Sequence, residues 1–391
     1  MPYYHRKLEP LLFQSLKQFP VSLITGPRQA GKSTLLKQCL PNYQYVTLDD
    51  PALRALALED PELFLSTHPD PLILDEIQYA PNLLPYIKMR VDVDRGRYGR
   101  YVLTGSQSFQ LMQGVSETLA GRVAIFHLYP FTWDEVEAVP SHAQEAHDEL
   151  KLSKRIIEGF YPEFFSNPEI NWNLWSSSYV TTYLERDVRN IKAISDLARF
   201  QTFINLLAVR AGSLLNLSEV AKECGISQPT AKDWLSILQA TYVIYLLRPY
   251  HSNKTKRMVK SPKLYFIDTG LLCYLLGIDT PERFLKASER GHIFENLVVV
   301  DFLKSQAYSM QKQELFFYRT QAGMEIDLLV DSGRELHGYE IKFTKTPNRR
   351  MGEQLAIFQK THPSAKLKLL CLREPPLPLN EGIEATHFRV L

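Results

Sequence analysis

The chain has 391 residues, enough for two or three domains of ordinary size. Hydrophobic residues make up 45% and charged residues 23%, which excludes a disordered or fibrous chain. With 45 Lys and Arg against 43 Asp and Glu, the net charge of +2 excludes a uniformly basic surface, so any nucleic-acid contact has to come from a local patch.

The opening MPYYHRKLEP lacks the apolar core of a secretory signal, and no apolar run of about 18 residues follows that would span a bilayer. A soluble cytoplasmic protein with no membrane partner is expected. Cys39, Cys224, Cys273 and Cys371 are widely separated, with no CxxC pair. That spacing predicts buried free thiols, and neither a disulfide framework nor a zinc site on cysteine pairs.

From Val21 to Pro130 short apolar runs alternate with helical patterns: VSLITG (Val21–Gly26), QYVTLDD (Gln44–Asp50), PLILDEI (Pro71–Ile77), RYVLTGS (Arg100–Ser106) and AIFHLYP (Ala124–Pro130). Continuous apolar strands separated by helices predict a parallel sheet covered on both faces.

The first strand runs into Gly26-Pro27-Arg28-Gln29-Ala30-Gly31-Lys32-Ser33-Thr34, which fits GxxxxGK[ST] and opens a helix. Glycines let the backbone wrap phosphate oxygens, and the helix N-terminus adds positive potential. Lys32 is expected to reach the β- and γ-phosphates of ATP, and the Ser33 hydroxyl to ligate Mg²⁺. Asp75 and Glu76 end a second apolar strand. Asp75 is expected to hold the Mg²⁺, and Glu76 to activate the attacking water. At the end of RYVLTGS, Ser106 is the favoured γ-phosphate sensor, with Thr104 and Gln107 as alternatives. Arg122 is a further candidate, neutralising charge on the transferred phosphoryl group within one subunit or across a boundary between two.

After Pro130 the pattern turns helical. Leu217–Leu238 reads as helix, tight turn at Gly225, helix, with Ser227 as cap of the second helix. In a helix-turn-helix, Gln228, Thr230 and Lys232 would contact DNA. The following stretch holds Lys254, Lys256, Arg257 and Lys260 with no acidic residue from Arg248 to Lys263, a candidate for nonspecific phosphate contact.

Near Gly291 α/β character returns, with a helix carrying Glu295 and strands holding Glu325-Ile326-Asp327 and Glu340-Ile341-Lys342. Residues two apart on a strand share a face, so Glu340 and Lys342 point together, as do Glu325 and Asp327. Glu295, Asp327, Glu340 and Lys342 form a candidate acidic pocket that would hold a second divalent metal at Asp327 and Glu340, with Lys342 beside its water. The order and spacing match the PD-(D/E)xK nuclease pattern. The alternating charge is also what a half-exposed strand shows.

GPRQAGKST, LILDEIQYAP, YVLTGSQS and LAGRVAIFHLYPFTWDE, followed by YLERDVRNI (Tyr183–Ile191), LYFIDTGLLCYLLG (Leu264–Gly277) and GHIFENLVVVDFL, resemble the AAA-type ATPases of bacteria and archaea with an uncharacterised C-terminal half. The resemblance covers nearly the whole chain. It implies an α/β fold in three parts: a P-loop ATPase domain at 1–135, a helical and winged-helix-like region at 136–285, and a restriction-endonuclease-like domain at 286–391. It implies nucleotide roles for Gly31, Lys32, Ser33, Asp75 and Glu76, and it names no pathway. The expected function is an Mg²⁺-dependent ATPase coupling hydrolysis to conformational change on DNA. The alternatives are a nucleotide-dependent switch binding a protein partner and an ATP-gated, metal-dependent nuclease. AAA-type relatives often assemble, so a homo-oligomer is a further expectation.

Overall fold

The computed structural model describes residues 3–105, 114–115, 117–167, 169–184, 196–250, 261–311, 313–320 and 323–389. It divides into two compact units. The first comprises Met1–Glu135, Tyr161–Ile170 and Ala240–Tyr242, and the second Val136–Phe160, Asn171–Gln239 and Val243–Leu391.

The first unit is built on five parallel strands: β1 (Val21–Thr25), β2 (Gln44–Thr47), β3 (Leu72–Asp75), β4 (Tyr101–Gly105) and β5 (Val123–His127). Their order is β2-β3-β4-β1-β5. Every residue of β1, β3 and β4 is buried, the pattern required of strands covered on both faces. Leu23, Leu74, Leu103, Phe64, Leu84 and Ile87 are among the residues of its core. Flanking helices start on side-chain caps. Asp50 accepts from Ala52 and Leu53 N–H ahead of Pro51–Glu59, and Asp60 accepts from Leu63 N–H ahead of Pro61–Thr67. In each case a proline opens the helix, where its missing N–H costs nothing.

In the second unit, the helices Leu197–Val209, Leu217–Glu223 and Gln228–Ala240 precede the antiparallel pair β6 (Ile244–Pro249) and β7 (Lys263–Phe266). Gly225 turns the chain between two of these helices at φ 63°, a conformation that favours glycine. Six strands follow: β8 (Glu314–Arg319), β9 (Glu325–Asp331), β10 (Leu336–Ile341), β11 (Lys366–Cys371), β12 (Leu377–Asn380) and β13 (Ile383–His387). They join β6 and β7 in one eight-stranded sheet, order β12-β13-β11-β10-β9-β8-β6-β7. The helix Glu353–Thr361 makes β11 parallel to β10, as a crossover must.

Two expectations meet a different arrangement. Strands from 136–285 and from 286–391 share one sheet, because β6 runs parallel to β8 through Arg248–Phe316 and Pro249–Phe317. Sequence patterning marks each strand but not which strands pair at long range. Cys224, Cys273 and Cys371 are buried free thiols, whereas Cys39 is only half-buried, near the Tyr3 hydroxyl at 3.7 Å.

Candidate functional site

In a parallel sheet the C-terminal strand ends share one edge. Gly26 to Gly31 leave β1 at that edge and lead into the helix Lys32–Cys39. Gly26 has φ 150°, and a Cβ there would lie 2.1 Å from the Leu128 carbonyl oxygen, so only glycine fits. Gly31 has φ 90° and Gln29 φ 60°, both left-handed. The helix begins at Gly31 with no side-chain cap, unlike the helices capped by Asp50 and Asp60. A helix start of this kind is where an anion is favoured by the helix dipole. Lys32 is buried, and its ammonium donates to the Gly26 and Pro27 carbonyls at 3.1 and 2.9 Å, so it is held over the loop. Thr34 is exposed on the outer side of the same turn.

Asp75 ends β3, and β4 lies between β3 and β1. Ser33 Oγ donates to Asp75 Oδ2 at 2.8 Å, and the Tyr45 hydroxyl donates to the same oxygen. Thr104 Oγ1, on β4, donates to Asp75 Oδ1. Asp75 therefore faces three neutral hydroxyls. Burial and the Asp75 carboxylate push the Tyr45 hydroxyl well above its ordinary pKa, keeping it a donor. Glu76 follows at φ 61° and ψ 47°, left-handed for a non-glycine residue. Its N–H donates to Thr104 Oγ1 at 3.2 Å, and its carboxylate accepts from the Gln78 amide.

Sequence reasoning missed the residue that braces the loop. Arg6 is buried; it donates to the Ala30 carbonyl at 2.9 Å and the Tyr129 carbonyl at 2.7 Å, and pairs with buried Glu135 at 3.1 Å. Nothing in MPYYHRKLEP distinguishes Arg6 from a surface cation, because its partners lie far along the chain. The hydroxyl of Tyr242, at φ 58°, shares hydrogen bonds with Thr25 Oγ1 at 2.8 Å and His127 Nδ1 at 2.7 Å. It thereby fixes the last residue before the loop.

Arg122 is corrected as a phosphate contact within its own chain. Val21 pairs with Val123 at the strand starts, so Arg122 lies at the opposite edge of the sheet from Gly26. The length of β1, roughly 17 Å for five residues, separates the two. Arg122 instead pairs with Asp92 at 2.7 Å, which holds that carboxyl down at about 2. Ser106 and Gln107 fall outside the described residues, as do Lys254, Lys256, Arg257 and Lys260.

In the second unit Glu295, Asp327, Glu340 and Lys342 do come together, with three residues that sequence reading left out of the pocket. Lys263, on edge strand β7, lies 2.9 Å from Glu295, 2.5 Å from Glu325 and 3.6 Å from Asp327. Tyr265 donates to Glu295 at 2.7 Å. Lys342 lies 2.6 Å from Glu340 and 3.4 Å from Asp327, whose Oδ2 also accepts from Ile341 N–H at 2.9 Å. Burial opposes the charge on Lys263 and Lys342, but the carboxylates around them hold both well above the ordinary lysine value. Burial and the neighbouring Asp327 push Glu295 up to about 7 and Glu340 up to about 8. Glu340 Oε2 is buried with no hydrogen-bond partner among the described residues.

At the helix pair, Ser227 Oγ caps the second helix by accepting from Thr230 N–H at 3.2 Å. Gln228 donates to Ser218, Thr230 shares a hydrogen bond with Ser227 at 2.7 Å, and Lys232 is exposed.

Residues 18–137 match the AAA domain family, and residues 149–282 and 290–391 match two domains of unknown function. An uncharacterised protein of Mycobacterium tuberculosis is 34% identical over 378 residues, 96% of this chain and 81% of that protein. Its counterpart in Mycobacterium bovis matches to the same extent. Among solved structures, a Walker-type ATPase of Pyrococcus abyssi aligns at 16% identity and TM-score 0.47, covering 70% of this chain and 96% of that one. No described helix is long and apolar enough to cross a membrane.

Proposed function

This chain belongs to the family of AAA-domain proteins that the two mycobacterial relatives represent, and on that premise we propose a magnesium-dependent ATP hydrolase whose nucleotide cycle drives a conformational change on DNA. The observation that carries the proposal is the convergence of Ser33, Thr104 and Asp75 beside a glycine-shaped loop and an uncapped helix.

The residues fit both ligands. Positions 26 and 31 have backbone shapes that admit a phosphate close to the main chain, and Ser33 with Asp75 is the hard-oxygen set that suits Mg²⁺. When bound, the ion neutralises charge on the β- and γ-phosphates. Lys32 turns from the Gly26 and Pro27 carbonyls to the phosphates, exchanging one set of oxygen acceptors for another. Tyr45 and Thr104 keep the Asp75 carboxylate oriented, and Glu76 takes the proton of the attacking water on its carboxylate. Thr104 is thus a positioning residue at the strand end where a sensor was expected.

DNA contact is supported by the order of elements in the second unit. Three helices followed by the β6–β7 pair is the sequence of parts in a winged helix, with Gln228, Thr230 and Lys232 at the start of the helix that would enter the major groove. A protein partner on the same surface is the alternative.

The carboxylate pocket does not fit a second divalent metal. Asp327 faces two ammonium groups and a backbone N–H, and Glu295 is taken by Lys263 and Tyr265. No DNA cleavage step is therefore assigned to Glu295, Asp327, Glu340 and Lys342.

Phosphate release with and without single- and double-stranded DNA tests the reading. Lys32→Ala is expected to lose nucleotide binding, and Glu76→Gln to keep binding while losing about 10²–10³-fold in turnover. Stimulation by DNA that falls with added salt supports the DNA reading. Equal turnover in Glu76→Gln and wild type overturns the assignment of the water-activating carboxylate. Turnover indifferent to DNA shifts the reading to a protein partner.

A further inference from the structure

Residues 147, 374 and 387 meet in a cluster that the nucleotide chemistry does not use. His147 ends a 3-10 turn, Glu145–His147, just ahead of the helix Glu149–Glu158. His387 closes β13, opposite Cys371 in the parallel register with β11. Glu374 follows β11 by three residues, so the chain leaving that strand carries it over the end of β13. Glu374 Oε1 lies 3.3 Å from His147 Nδ1 and 3.8 Å from His387 Nδ1. The three ligand atoms all lie within 4.8 Å of one another.

The buried histidine gives the second, independent sign. His387 is 1% exposed, and neither Nδ1 nor Nε2 has a hydrogen-bond partner among the described residues. A buried imidazole nitrogen with no hydrogen bond of ordinary geometry is rare, because it forfeits its bond to water.

We infer that His147, Glu374 and His387 form a binding site for a borderline divalent transition ion of the zinc class. Two imidazoles and one carboxylate make a three-ligand set, with a fourth position for water. Tetrahedral bonds of about 2.0–2.1 Å put ligand atoms roughly 3.3 Å apart. Both spacings from Glu374 are within about half an ångström of that value, and the His–His spacing is the one that has to close. His147 and His387 stack at 4.9 Å with planes 18° apart, so ligation turns the His147 ring out of the stack. Its side chain is 44% exposed and has room to do so. The ion ties the segment entering the second unit to its last strand. The Arg389–Glu137 pair at 2.8 Å links the same two parts of the chain.

The test is titration of chelator-stripped full-length protein with Zn²⁺ by calorimetry, with Co²⁺ absorption as an independent readout of ligand type. One equivalent bound outside the nucleotide loop, with a raised melting temperature, is expected. His147→Ala and Glu374→Gln alter half-exposed side chains, leave the fold intact, and should each weaken binding at least about tenfold. Absence of Zn²⁺ binding overturns the inference, and so does unchanged affinity in both variants. Loss of binding only in Asp327→Asn or Glu340→Gln also overturns it, by moving the ion to the carboxylate pocket. Lys32→Ala separates this outcome from the ATPase reading: it is expected to abolish nucleotide binding and to leave the Zn²⁺ titration as in wild type.

Discussion

The nucleotide cradle and the carboxylate pocket are built from the same residue types, acids and lysines at strand ends, and they differ in what each carboxylate faces. Asp75 is surrounded by the hydroxyls of Ser33, Tyr45 and Thr104, which are neutral and can turn toward another acceptor. Asp327 and Glu295 are surrounded by Lys263 and Lys342, which cannot leave without uncovering a buried charge. A carboxylate held by hydroxyls keeps its charge available to an incoming cation. One held by ammonium groups already has its counterion. Motif spacing is legible in both places, but only the structure shows which groups face each carboxylate.

The sharpest way to break this contrast is Lys263→Met. If the pocket is a structural ion-pair cluster, removing the central cation leaves Glu295 without its ammonium partner and Asp327 with Lys342 alone, at a cost of about 3–5 kcal/mol in denaturant unfolding. ATP turnover should survive wherever the chain stays folded. A loss below about 1 kcal/mol would mean that the lysine is replaceable, and the pocket would again be open to a metal.

A smaller effect is expected in the cradle. Thr104→Val keeps the shape and removes the hydroxyl shared by Asp75 and the Glu76 N–H. Loss of one hydrogen bond to a charged group predicts roughly a tenfold fall in turnover with nucleotide affinity nearly unchanged. A fall in affinity without a fall in turnover would put Thr104 in binding instead of positioning.

A third effect is a dependence on pH. Glu295 and Glu340 titrate near 7 and 8 in the folded chain, above the ordinary carboxyl value of 4.5. Between 4.5 and 8 the folded state therefore holds more protons than the unfolded state, and stability falls as pH rises through that window. The slope is about 1.4 kcal/mol per pH unit for each group that holds the extra proton, so up to roughly 3 where both do. Melting curves across this range should show the decline, and Glu340→Gln should flatten it. A stability that rises over the window would contradict the burial of these groups.

The sheet of the first unit and the loop from Gly26 to Thr34 were readable in the sequence because strand, glycine turn and helix are contiguous, so one short segment carries the whole constraint. Asp75 and Glu76 were readable for the same reason, as two acids at the end of an apolar run. Arg6, Tyr45, Lys263 and Tyr265 were not, since each acts through partners on strands or loops distant in the chain, and no local pattern marks them. Arg122 misled because nearness in sequence to an apolar strand does not say at which end of that strand the residue sits. The acidic pair on β9 and the ExK on β10 were read correctly as neighbours. Lys263, which lies among these carboxylates, carried no local signal because β7 joins them only through the fold.

The helix Lys32–Cys39 starts without a side-chain cap, which has a consequence for how the first unit would respond to bound nucleotide. A missing N-terminal partner forgoes about 0.5–2 kcal/mol of helix stability. Nucleotide restores that contribution from outside, so occupancy and local rigidity are thermodynamically linked. Amide protons early in this helix should exchange fastest when ATP is scarce.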